Sequence, residues 1–194
     1  MTGRGFVVMS LTALASLSCE GGHPPTDPTP TTPLVINGRV IDYVSGSGVS
    51  RVGVSFGVRQ LQTDTTGRFT VEVPPGDYEM RVAGEDDAAT VLVRGPWSTA
   101  TYLARGGTCT ARYGAVLNAR TGRPIAGATI SLGAAVTTTD ADGWYRADLG
   151  CTVCNFCNLT ILNVSAVGFQ PFSRVFDRGL AGVQRLDIEL ALGE

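Results

Sequence analysis

The segments TDTTGRFTVEV (residues 63–73) and TDADGWYRADL (139–149) are two versions of one pattern, 76 residues apart. Thr63 falls on Thr139, Asp64 on Asp140, Gly67 on Gly143 and Phe69 on Tyr145. Toward the N-terminus at the same spacing, Gly57 meets Gly133, Phe56 meets Leu132, Val54 meets Ile130, Val49 meets Ile125, Gly46 meets Gly122 and Gly38 meets Gly114, without a gap. Agreement of turn residues and apolar positions over this length marks a tandem duplication.

Each copy reads as short strands. VGVSFGV (52–58) and ATISLGA (128–134) alternate apolar with small or polar residues, the period of a strand with one buried and one wet face. In DTTG and DADG the aspartate can accept bonds from the backbone ahead of it, and the glycine supplies positive φ. VPPGDYEMRVAG (73–84) is a proline–glycine turn followed by another alternating run. ATVLVRG (89–95) and TATYLA (99–104) close the first copy, and RLDIELAL (185–192) closes the second. No stretch keeps a helical period. The expected fold is all-β: two tandem antiparallel β-sandwiches of Greek-key type, over residues 34–106 and 107–194.

Several of these marks occur together in a known domain family. INGRVID, GVSRVGVSF and TDTTGRFTVEVPPGDYEMRVAG in the first copy resemble the carboxypeptidase regulatory-like domain, a transthyretin-like β-sandwich. YGAVLNARTGRPIAGATISL, TTTDADGWYRADL and VSAVGFQPF in the second resemble it more fully, with Ala166, Gly168 and Phe169 as the late A-x-G-aromatic motif. The first copy lacks the proline-containing loop and has no aromatic after Gly84. The resemblance implies the fold and a noncatalytic accessory or adhesion-type role, since such sandwiches serve many functions.

The chain is 194 residues long, 43% hydrophobic, with a formal charge of −2 and 15 basic residues, all arginine. Nothing in that balance favours nucleic acid, whose binding surfaces carry a basic excess. The single histidine is His23, so the sandwich region can build no Ser-His-Asp triad, histidine acid/base pair or His-rich zinc site. No enzyme and no cofactor is expected.

Residues 1–18 read as an export signal, with Arg4 before the apolar run FVVMSLTALASLS (6–18). Cys19 after ASLS resembles the lipidated cysteine of a bacterial lipoprotein, although Ser16 stands where that family has leucine. The alternative is ordinary cleavage after ALA (13–15) and secretion. Residues 19–33 read as a disordered Pro/Thr-rich tether. The expected location is the bacterial cell envelope, lipid-anchored to a membrane.

Five cysteines include a cluster, CTVCNFC (151–157). If Cys19 is acylated, four remain: Cys109, Cys151, Cys154 and Cys157. Matching Val82–Gly84 to Ala166–Gly168 puts eight inserted residues in the cluster's loop. Strand parity brings that loop to the same end of the sandwich as Cys109. Two disulfides, with three possible pairings, are favoured over zinc, an iron–sulfur cluster or redox chemistry in an oxidising compartment. A bridge closing so long a loop stabilises by about 4 kcal/mol in the chain-entropy treatment.

Two residues offer a ligand surface. Trp144 matches Arg68 and is expected to be exposed, where with Asp142 it could stack a sugar; Tyr145 matches Phe69 and is expected in the core. Asp140 and Asp142 are too few carboxylates for an EF-hand loop. Two roles follow: a structural or protein-interaction module of the envelope, or a carbohydrate-binding module with a glycan partner.

Overall fold

The computed structural model describes residues 32–107, 109–150, 159–177 and 182–193. Among the described residues every regular element is a strand. The first half contains β1 (Leu34–Asp42), β2 (Gly53–Phe56), β3 (Arg59–Gln62), β4 (Arg68–Val73), β5 (Gly76–Val82), β6 (Ala89–Val93) and β7 (Thr99–Ala104). The second contains β8 (Thr110–Asn118), β9 (Thr129–Leu132), β10 (Ala135–Thr138), β11 (Trp144–Gly150), β12 (Leu159–Ser165), β13 (Phe172–Asp177), β14 (Gly182–Arg185) and β15 (Ile188–Leu190).

Strand pairing repeats from half to half. One sheet runs β4-β1-β7 and its counterpart β11-β8-β14, with β15 extending the pairing to β8; the facing sheets run β3-β2-β5-β6 and β10-β9-β12-β13. The sequence reading expects antiparallel pairing throughout; most pairs are antiparallel, but β7 lies parallel to β1, and β14 and β15 lie parallel to β8. The chain reaches the last strand from the opposite sheet, so it re-enters beside the first strand in the same direction. Ile36, Val40, Phe56 and Met80 fill one sandwich, and Val116, Ile130, Leu132 and Leu162 the other. Alternation places them, since successive side chains of a strand point to opposite faces of the sheet.

The duplicated motif does the same work twice. Asp64 Oδ1 accepts from the amides of Thr66 and Arg68 at 2.7 and 2.8 Å, and Asp140 Oδ1 from those of Asp142 and Trp144 at 3.0 and 2.9 Å. Asp64 is held below the usual carboxylate range, chiefly by the Arg68 amide. Gly67 and Gly143 have φ of +79° and +71° and lie against the first strand of their own half, each carbonyl accepting from an amide there, Val40 N and Val116 N respectively. The threonine before each aspartate is buried. Thr63 Oγ1 donates to Val49 O (2.7 Å) and accepts from Val52 N (3.0 Å); Thr139 Oγ1 donates to Ile125 O (2.7 Å) and accepts from Ala128 N (2.8 Å). Thr139→Val keeps the shape and strands both backbone groups, an expected loss of about 1–3 kcal/mol in chemical denaturation. Thr139→Ser should retain most of the stability; equal losses for the two variants would contradict the hydrogen-bond explanation.

The inserted residues are divided differently from the sequence matching. Val82 pairs with Val54, and Val164 with Ile130, so the strands match 82 residues apart. Six of the eight extra residues therefore precede β12, in the cysteine loop, and two lie between β12 and the turn at Gly168. A slip of two preserves which side chains face the core, which is why the glycine match concealed it.

Candidate functional site

Residues from Thr31 onward form one compact unit. The two halves are therefore docked, and their junction holds a buried ion pair. It begins with β8, whose side chains are buried from Ala111 to Leu117 on both faces, whereas β1 alternates. Ala111 and Tyr113 on its outer face, and Cys109 just before it, pack with Tyr43, Leu103 and Val183, with Trp144 alongside.

Arg185 and Asp187 lie at the centre of the junction. Their side chains are each 1% exposed and meet at 3.0 Å. Arg185 Nη1 and Nη2 also donate to Thr101 O (2.7 Å) and Thr99 O (2.9 Å) on β7. Asp187 Oδ2 accepts from Leu92 N on β6 (2.9 Å) and Oδ1 from Ala115 N on β8 (2.9 Å). One ion pair thus closes backbone valences in three strands of both halves, the condition under which burying charge is tolerated.

Around it lie more contacts between the halves. Trp97 Nε1 donates to Gly122 O at 2.7 Å, beneath the Arg123 guanidinium. Arg94 bridges Glu189 and Asp77, each at 2.7 Å. The Tyr113 hydroxyl accepts from Leu103 N. Tyr43 OH donates to Asp148 Oδ1 at 2.6 Å while Arg146 stacks over the Tyr43 ring and pairs with Asp148. Burial alone raises the Asp148 pKa, but the Tyr43 and Arg146 bonds outweigh it and hold the carboxyl below its usual value.

The residues singled out in the sequence are distributed as follows. Cys19, Cys151, Cys154 and Cys157 lie outside the described residues. Cys109 is buried and is not a free thiol. Gly150 pairs with Thr110, so the chain leaves the described part of β11 beside the neighbour of Cys109. Asp142 is exposed in its turn, its amide bonded to Asp140. Trp144 is not the exposed ring expected: it is half-buried at the junction, and its Nε1 is buried without a hydrogen-bond partner. The first half abuts this face of the second, whereas Arg68, at the matching position, faces solvent. Trp144 is therefore only partly exposed. The sequence does not show the junction, because Arg185 and Asp187 look like wet-face residues in RLDIELAL.

No protein-family model matches the chain, and no curated protein matches it in sequence. Among solved structures it is similar to the Bacillus anthracis TIE protein at 10% identity and a TM-score of 0.34, over 82% of this chain and 34% of that one. The chain thus spans about a third of that protein's length. It is also similar to the shaft pilin SpaA of Lactobacillus rhamnosus GG (11% identity, TM-score 0.33, 84% of this chain and 98% of that one). A Streptococcal ancillary pilin gives 16% identity and a TM-score of 0.31 over 85% and 64% of the two chains. At these values the likeness is one of all-β construction alone.

Proposed function

We propose that the chain is a noncatalytic, exported protein of the bacterial cell envelope, in which two carboxypeptidase regulatory-like sandwiches are docked into a single strut behind a Pro/Thr-rich tether. The junction carries this reading. Arg185, Asp187, Trp97 and Tyr113, residues suited to chemistry, are occupied in holding one half against the other. Such docking suits a part that must keep a fixed length and orientation. Cys19 is the proposed lipid attachment point, and Cys109 the proposed disulfide partner of one cysteine in 151–157. The bonded state of Cys109 and the Gly150–Thr110 pairing support that bridge.

Fractionating cells that express the native chain and Cys19→Ser tests the placement. The native protein should sediment with membranes and the variant should be released. Digestion of the native protein without reductant should yield a Cys109 peptide linked to the 151–157 peptide. Unchanged sedimentation of Cys19→Ser would remove the anchor from this reading, and a free Cys109 would remove the bridge.

A further inference from the structure

Arg112 stands where a core residue belongs. Ile36 pairs with Val71 in the first half, and Arg112 with Ala147 at the same register in the second. Ile36 is fully buried; Arg112 is 2% exposed on the corresponding inward face. The smaller Ala147, in place of valine, leaves room for the longer side chain. Arg112 Nη1 donates to Ala111 O (2.9 Å) and Gly182 O (3.0 Å), but Nε is buried with no partner. Among the described residues no carboxylate pairs with it, unlike Arg185 beside it. Burial pulls its pKa down. A buried cation without a counter-charge is costly, and native folds supply one.

The space for that counter-charge is present. β13 and β14 are edge strands of the two facing sheets, and the seam between them opens into a cavity of about 300 Å³ closed on one side by Thr90 and Leu92 of the first half. Arg112, Arg174 and Phe176 line it with Gln184 and the Arg185–Asp187 pair. Both Arg112 and Arg174 lie over the Phe176 ring, each 5.1 Å from its centroid. Asp187 is neutralised by Arg185, so among the described residues the two guanidiniums beside the ring are the charges of the lining that no carboxylate pairs.

We propose that this seam is an oxyanion-binding site, in which Arg112 and Arg174 hold a carboxylate or phosphate group entering between β13 and β14. Guanidiniums provide paired donors that match such groups, and the burial of Arg112 strengthens its charge-assisted bond. Both guanidiniums already pack against the ring, so less side-chain freedom is lost when the anion binds.

The test is titration of the purified chain with inorganic phosphate and, separately, acetate at fixed ionic strength, read by the Nε–H signals of the arginine side chains. Saturable movement of the Arg112 signal is expected with at least one anion, and which anion acts distinguishes phosphate from carboxylate. Arg174→Gln, a change at an exposed residue, should weaken binding about tenfold, the worth of one charge-assisted bond. Arg112→Met should abolish it. Absence of saturation with both anions would overturn the proposal. So would binding to Arg174→Gln at native affinity, a result that stands even if Arg112→Met fails to fold.

Discussion

Asp187→Ala is expected to lower the stability of the folded chain by about 3–5 kcal/mol, the usual cost of breaking a buried ion pair by removing one partner. Both side chains are 1% exposed, so the variant breaks a buried pair and not a solvent-screened one. The variant leaves the Arg185 guanidinium charged within the junction and strands the amides of Leu92 and Ala115. Small domains are stable by only about 5–15 kcal/mol, so the loss should appear as a large fall in denaturant midpoint. Arg185→Met alone should cost a comparable amount, because it strands the carboxylate together with Thr99 O and Thr101 O. The double variant Arg185→Met/Asp187→Leu should lose much less than the two single losses added together, since no unpaired charge remains. Strict additivity, or a loss near zero for Asp187→Ala, would show that the pair does not hold the halves together.

How far the sequence revealed this molecule depended on the range of each interaction. The DTTG and DADG turns, Thr63 and Thr139, and the apolar alternation of β2 and β9 bond or pack within their own half, and the duplication displayed them twice. Tyr145 was readable as core because its neighbours are those of Phe69. Trp144 was misread because the duplication equates positions and not surroundings: the first half covers the outer face of β8 and leaves that of β1 largely open. A signal for that cover was present. Where β1 shows Val35, Asn37 and Arg39, β8 carries Ala111, Tyr113 and Ala115, small or aromatic residues able to lie against another sheet. Arg112 at the place of Ile36 was visible in the same alignment, but an arginine in a strand reads as a wet position until its register is known. The parallel course of β7, β14 and β15 was hidden because strand direction depends on the path of the connection, which local pattern does not encode.

Gly38 and Gly114 provide the sharpest test of whether matched positions have matched surroundings. A Cβ on Gly38 would overlap the ring of Phe69, its cross-strand partner; on Gly114 it would overlap the carbonyl of Leu186. A ring can swing aside, whereas the Leu186 carbonyl belongs to backbone that accepts the Tyr145 hydroxyl at 2.8 Å and immediately precedes Asp187. Gly38→Ala should therefore cost about 1–3 kcal/mol, the range for overpacking relieved by side-chain movement. Gly114→Ala should cost more, about 4 kcal/mol, because relief moves the backbone that positions the buried ion pair. Double-variant cycles separate the two cases. Gly38→Ala with Phe69→Leu should be more stable than the sum of the single losses predicts, because the obstructing ring is gone. Gly114→Ala with Tyr145→Leu should show no such recovery, because the obstacle is main chain. Comparable recovery at both positions would mean that the second half packs against its glycine as the first does, and that the junction imposes no constraint on β8.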